Sequence, residues 1–167
     1  IHIGQRPKLK SIPQADKIIP GVMKFRDTVV SVIDLRTLLG YQAMHERVDE
    51  IKQIMQLRKE DHINWIDELQ NSIKEEKAFT KSTDHKACAF GKWYYAFKTD
   101  DKSLDMMMKR FELPHKQIHA SAEKAFSMLE SGDKDGAISL VESVREHEMQ
   151  TMIGLFDSFS NAFAESI

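Results

Sequence analysis

Only one cysteine, Cys88, occurs in this chain, which rules out a disulfide framework within it. A reducing, cytoplasmic setting is the expectation that follows. Proline is scarce, and three of the four (Pro7, Pro13, Pro20) fall in the first twenty residues, leaving Pro114 as the one interruption to helices further on. No apolar run approaches the ~18 residues that a membrane span needs. Charge of either sign is not in excess: 24 Lys and Arg face 26 Asp and Glu, for a net charge of −2. Bulk electrostatics therefore gives a nucleic-acid partner no support. Residues Ile1 to Lys10 are basic and mixed, without the apolar core of a secretory signal. The chain opens on Ile1 instead of Met, which reads as a fragment or a processed product. Gly-rich phosphate loops, Gly-x-Ser-x-Gly and His-Glu-x-x-His are all missing, so the common motifs of hydrolases and nucleotide enzymes are not there.

What remains is an ordinary globular composition, 41% hydrophobic and 30% charged, in 167 residues, enough to bury a core. The pattern changes near Tyr41. Before it, Val22-Met23-Lys24-Phe25-Arg26 alternates apolar and polar, and Thr28 to Leu35 is dense in β-branched residues. With Arg26-Asp27 as a tight turn, Gly21 to Leu35 reads as a β-hairpin. After Tyr41 the period is helical. An apolar stripe through Val48, Ile51, Met55, His62, Trp65, Leu69 and Ile73 predicts one long helix over residues 43–79. Lys81-Ser82-Thr83-Asp84 supplies capping candidates for a second helix through Cys88 to Tyr95. A short helical piece follows at Leu104 to Glu112. Pro114 suits the first turn of a third helix ending near Ser131-Gly132, and Asp133 to Gly136 opens a last helix to Glu165. Short connections between long helices favour antiparallel neighbours. The expected fold is mainly α, a four-helix bundle over residues 42–167 with a small N-terminal β-hairpin in residues 1–41.

Three of the seven histidines occupy positions where core residues belong. His62 lies on the stripe of the first long helix. His115 and His119 share the stripe of the third with Ala122, Phe126 and Leu129, and a separation of four puts both rings on one face. Cys88 begins the stripe Cys88, Gly91, Tyr95, where Gly91 would let another helix approach. A single core histidine is more often a hydrogen-bonded core residue than a ligand. Two on one apolar face are unusual, since each unpaired buried imidazole costs about 1–3 kcal/mol. With a cysteine and a third histidine on other core stripes, the balance moves to a metal. Zinc accepts thiolate and imidazole together and prefers four ligands.

The residues from His62 onward resemble the chemoreceptor zinc-binding domain. The likeness is carried by His62-x-x-Trp65, then Cys88-Ala-Phe90-Gly91-Lys-Trp93, then His115-x-x-x-His119, with 25 residues between His62 and Cys88 and 26 between Cys88 and His115. The resemblance implies a zinc-binding four-helix bundle with His62, Cys88, His115 and His119 as the ligands of Zn2+, and signals of two kinds, zinc level and strong oxidants. Four protein ligands close the coordination sphere, so a regulatory role is expected and catalysis is not. Ile18 to Tyr41 resembles the central hairpin of a CheW-type chemotaxis adaptor through Pro20-Gly21-Val22, Arg26 and Val32-Ile33-Asp34-Leu35-Arg36, with Asp27 and Ser31 standing where that family usually has Gly and Pro. That likeness implies a chemotaxis receptor or kinase as the partner class. A lone hairpin has open edges, so the segment is expected to pack on the helices or to exchange strands in a homodimer. The competing reading is a zinc-stabilised structural dimerisation bundle with no sensing role. Among the other features, the methionines at 106–108, 149 and 152 read as core filling. Trp93-Tyr94-Tyr95 is expected to give at least one core aromatic, one of them walling off the metal. His147 reads as a surface residue or a neighbour of the ligands.

Overall fold

A computed structural model describes residues 8–166. The chain is mainly helical, with one two-stranded antiparallel hairpin near its N-terminus. It divides into two units, residues 1–49 and 50–167, the division falling inside the longest helix. Expectations resting on residues 1–7 lie outside the described residues.

In the first unit, β1 (Gly21–Phe25) pairs with β2 (Thr28–Val32), Gly21 opposite Val32 and Phe25 opposite Thr28. Arg26, with φ of 55°, makes the turn in a conformation that costs a non-glycine residue. Lys10 adds a bridge to the outer side of β1, exchanging both backbone hydrogen bonds with Val22 at 2.9 Å. The strand expected to reach Leu35 stops at Val32. The Asp34 carboxylate accepts the amides of Arg36 (2.9 Å) and Thr37 (3.4 Å), and so caps a short helix, α1 (Leu35–Leu38). Local side-chain capping thus overrides the β-branched run.

Helix α2 (Met44–Glu75) is the long amphipathic helix of the sequence reading, shorter by four residues at its C-terminal end than the expected Phe79. Glu76 takes φ of 52°, and the Lys77 amide reaches back to the Ser72 carbonyl at 2.9 Å, the closure that ends a helix in a left-handed residue. In the second unit its inward face buries Ile51, Met55, His62, Trp65, Ile66, Leu69 and Ile73. Next come α3 (Ala89–Ala96), α4 (Lys102–Lys109) and α5 (Glu112–Glu130). The last rod is α6 (Lys134–Val144), a π-helical turn (Arg145–Met149) and α7 (Gln150–Glu165). The periodicity had predicted an unbroken helix there. Ion pairs Lys59–Asp157 and Arg145–Asp67 tie α2 to the rod. Helix α5 packs along the rod as well, and between these helices lies a core rich in phenylalanine: Phe90, Phe111, Phe156 and Phe159 are each 1% exposed or less. Met108, Met149 and Met152 fill that core as expected, whereas Met106 is exposed.

Candidate metal centre

Two helices and one helix start bring His62, Cys88, His115 and His119 together, with one donor atom of each lying within 4.8 Å of the others. His62 comes from the middle of α2. His115 and His119 come from successive turns of α5, ring centroids 4.8 Å apart. The third element differs from expectation. Cys88 is the N-cap of α3 itself, and its sulfur accepts the Gly91 amide at 3.1 Å. The capping candidates at 81–84 sit further back, in the turn that leads up to it. Gly91 is required, though not to admit another helix. A Cβ there would lie 2.0 Å from the His85 carbonyl oxygen, so only glycine lets the turn before Cys88 fold onto the helix it caps.

Three of the four donors make identifiable polar contacts. His62 Nδ1 lies 2.7 Å from the Arg58 carbonyl, which places the proton on Nδ1 and leaves the Nε2 lone pair facing inward. Cys88 Sγ is 3.3 Å from His115 Nε2 and 3.3 Å from the His85 carbonyl, to which the thiol can donate. Among the described residues, His62 Nε2 and both ring nitrogens of His119 are buried without a hydrogen-bond partner. Orphaned polar atoms on that scale are costly and cluster where a ligand belongs.

Electrostatics keeps the rings neutral. Burial lowers the pKa of His115 to about 2, helped by the neighbouring His62, His119 and His85. His119 is lowered to about 4 by burial and by His62. The nearby Ser82 carbonyl opposes that shift without a hydrogen bond to His119, since it accepts Trp65 Nε1 at 2.9 Å. For His62, burial again leads and lowers the pKa. The Cys88 thiol is raised by burial, with the Gly91 and Phe90 amides pulling the other way. Neutral imidazole is the form that binds a metal, and a bound cation would reverse the thiol shift by deprotonating it.

The set fits zinc. Zn–S near 2.3 Å and Zn–N of ~2.0–2.1 Å place tetrahedral donors roughly 3.3–3.6 Å apart, within small torsional adjustments of the observed cluster. The hard, oxygen-only environments preferred by calcium and magnesium are not offered.

The wall around the cluster is aromatic, but not from the residues the sequence reading favoured. Trp93 and Tyr94 are half-buried and Tyr95 is exposed. Instead Phe90 stands edge-on to His115 at 5.0 Å and to His62 at 5.8 Å, Trp65 lies 4.8 Å from His119, and Phe156 lies 5.9 Å from His62. Phe90 and Trp65 belong to the quoted Cys-x-Phe-Gly-x-Trp and His-x-x-Trp segments, so their signal was present. Phe156 carried none, since nothing in its local pattern separates it from other core positions. His147 is exposed, with Nδ1 2.8 Å from the Ser143 carbonyl.

Comparison with protein families agrees with this geometry. Residues 62–126 match the chemoreceptor zinc-binding domain, and residues 1–74 match the CheW-like domain. The second match runs through most of α2, beyond the hairpin whose residues carried the resemblance, and overlaps the first. The chain is thus similar to a CheW-like domain over its first part and to a chemoreceptor zinc-binding domain over its middle, each match covering less than half of its length. No curated protein and no solved structure gives a significant match. Among the described residues no helix is long and apolar enough to cross a membrane.

Proposed function

We propose that His62, Cys88, His115 and His119 bind one Zn2+, and that the chain is a regulatory unit in a chemotaxis-type pathway that reports zinc level or oxidation of the Cys88 thiolate. The observation that carries the reading is the group of buried imidazole nitrogens without partners, converging with the only thiol in the chain. An ion would satisfy His62 Nε2 and one nitrogen of His119 at once. Its loss would return those groups to an apolar wall and loosen α2 against α5.

Oxidation acts on the same contact. Transfer of an oxygen atom from a two-electron oxidant converts the thiolate to a sulfenate, a poorer ligand, while the oxidant is reduced. Because Cys88 also caps α3, the change reaches the helix start directly. A domain whose one thiol must be kept as a metal ligand suits the cytoplasm. With four protein ligands no position remains for a catalytic water, which favours regulation over catalysis.

Output through the CheW-like segment is part of the proposal. Val29, Ile33, Leu35, Leu38, Leu39 and Tyr41 are each more than half exposed. They offer an apolar surface to a chemotaxis receptor or kinase, or to a second copy in a homodimer. The reading of a purely structural zinc site draws on the deep burial of the three histidines. Affinity separates the two readings, since a sensor releases zinc to chelators under native conditions and a structural site resists them.

The deciding experiment is the zinc content of the purified chain beside Cys88→Ser prepared identically. About one zinc per chain, reduced in the variant, is the expected result. A folded protein without zinc in either preparation would remove the proposal.

A further inference from the structure

The four donors are unequally shielded. His62, His115 and His119 are each 3% exposed or less, whereas Cys88 is half-buried. A cavity of about 330 Å³ accounts for the difference. It is lined by Asp61, His62, Asn64 and Trp65 of α2, by Lys81 and Ser82 of the connecting loop, and by Cys88, Ala89 and Phe90 at the start of α3, with His119 beside them. His115 is not among its lining residues. Asn64 and Ala89 are exposed at the rim, where Asp61 and Lys81 set opposite charges. The volume far exceeds the ~30 Å³ share of one water in the liquid, so a solute of several heavy atoms fits.

We propose that this cavity is the port through which the ion exchanges and small solutes reach the Cys88 sulfur, so that the ligands are released in order, Cys88 first and His115 last. The inference rests on reading these four side chains as the zinc ligands. An incoming chelator atom displaces a ligand only where it can approach the ion, and the open side is the one that Cys88, His62 and His119 share. Of those three, Cys88 is the easiest to withdraw. His62 is tethered to the Arg58 carbonyl within a 32-residue helix. Cys88 sits at the N-cap of α3, at the end of a connector and turn, so withdrawing its sulfur breaks the cap on the Gly91 amide while leaving the helices that carry the three histidines in place. Asp61 and Lys81 at the rim are each ion-paired, with Arg58 at 3.3 Å and Glu68 at 3.4 Å, so the mouth does not select a solute by the sign of its charge.

Two rates test the port in the full chain. The first is transfer of zinc from the loaded protein to an excess of a chromogenic aminocarboxylate chelator. The second is alkylation of Cys88 by iodoacetamide in the zinc-stripped protein. Asn64→Trp and Ala89→Phe narrow the rim from two different elements at exposed positions, and Leu57→Trp, exposed on α2 outside the cavity, is the control. The expected result is zinc bound at the wild-type ratio, both rates about tenfold slower in the rim variants, and both unchanged in the control; a tenfold slowing is ~1.4 kcal/mol in barrier. Wild-type rates in both rim variants, with zinc still bound, overturn the port and leave the zinc reading intact. Absence of zinc from the wild type overturns the parent reading, and the alkylation rates then judge the port alone.

Discussion

Cys88 Sγ and His115 Nε2 approach to 3.3 Å across the gap between the start of α3 and the second turn of α5. The pair joins the least buried of the four donors to one of the most buried. It also joins two elements of different length and packing: a short helix entered from an irregular loop, and a 19-residue helix packed along the last rod.

Gly91→Ala is expected to destabilise the protein, against the helix preference that would make alanine the better residue by up to ~1 kcal/mol. The added Cβ would meet the His85 carbonyl at 2.0 Å, and a backbone oxygen cannot turn aside as a side chain can. A loss of about 1–3 kcal/mol in chemical denaturation is expected, together with weaker zinc binding through the displaced Cys88. A variant as stable as wild type would show that the turn at 84–88 is not held as described.

Phe90→Ala should cost about 3–5 kcal/mol, the range for removing a fully buried aromatic ring. Phe90 is 1% exposed and touches His62, His115, Phe111 and Phe156. Urea unfolding measures the loss, and a cost below ~1 kcal/mol would place Phe90 outside the core.

Acid should destabilise the zinc-stripped protein. His115 and His119 have folded pKa values lowered to about 2 and about 4, below the ordinary value of 6.5. Between those folded values and 6.5 the unfolded chain holds more protons than the folded one, so stability rises with pH across that window and levels off above it. Equivalently, the contribution is fully present above 6.5 and is lost as pH falls towards the folded values. Denaturation midpoints at pH 7.5 and pH 5 should therefore differ, with pH 5 lower, and the difference should shrink in His119→Phe. Equal midpoints would contradict the burial of neutral imidazoles.

Trp65→Phe keeps an aromatic ring against His119 but removes the bond from Nε1 to the Ser82 carbonyl. The expected loss is about 0.5–1.5 kcal/mol, with faster zinc transfer to a chelator because Ser82 lines the cavity. Unchanged stability and unchanged transfer together would mean that this bond does not hold the loop.

Legibility in the sequence followed the range of the forces involved. The stripe of α2 was readable because burial repeats at helical spacing within the segment itself, and His62 could be recognised as a core position on that stripe. The separation of four between His115 and His119 fixes their shared face wherever the helix lies. The hairpin turn at Arg26-Asp27 was equally local. The premature end of β2 was missed because one carboxylate, Asp34, competes with a β-branched run and wins by capping two amides. Cys88 as a helix cap was missed for a related reason: thiols are seldom caps, and the pattern around Cys88 reads the same whether it stands inside the helix or at its threshold.

By itself the sequence determined which residues belong to the second unit's inner faces and which side chains were available for chemistry, since both depend on periodicity and residue type. The tertiary structure decided that one thiol and three imidazoles from distant segments meet within 4.8 Å, that phenylalanines of α3 and α7 enclose them, and that a cavity opens on the sulfur's side. Those outcomes depend on the relative placement of helices, which is set by the summed packing of the whole core and has no signature in any one segment.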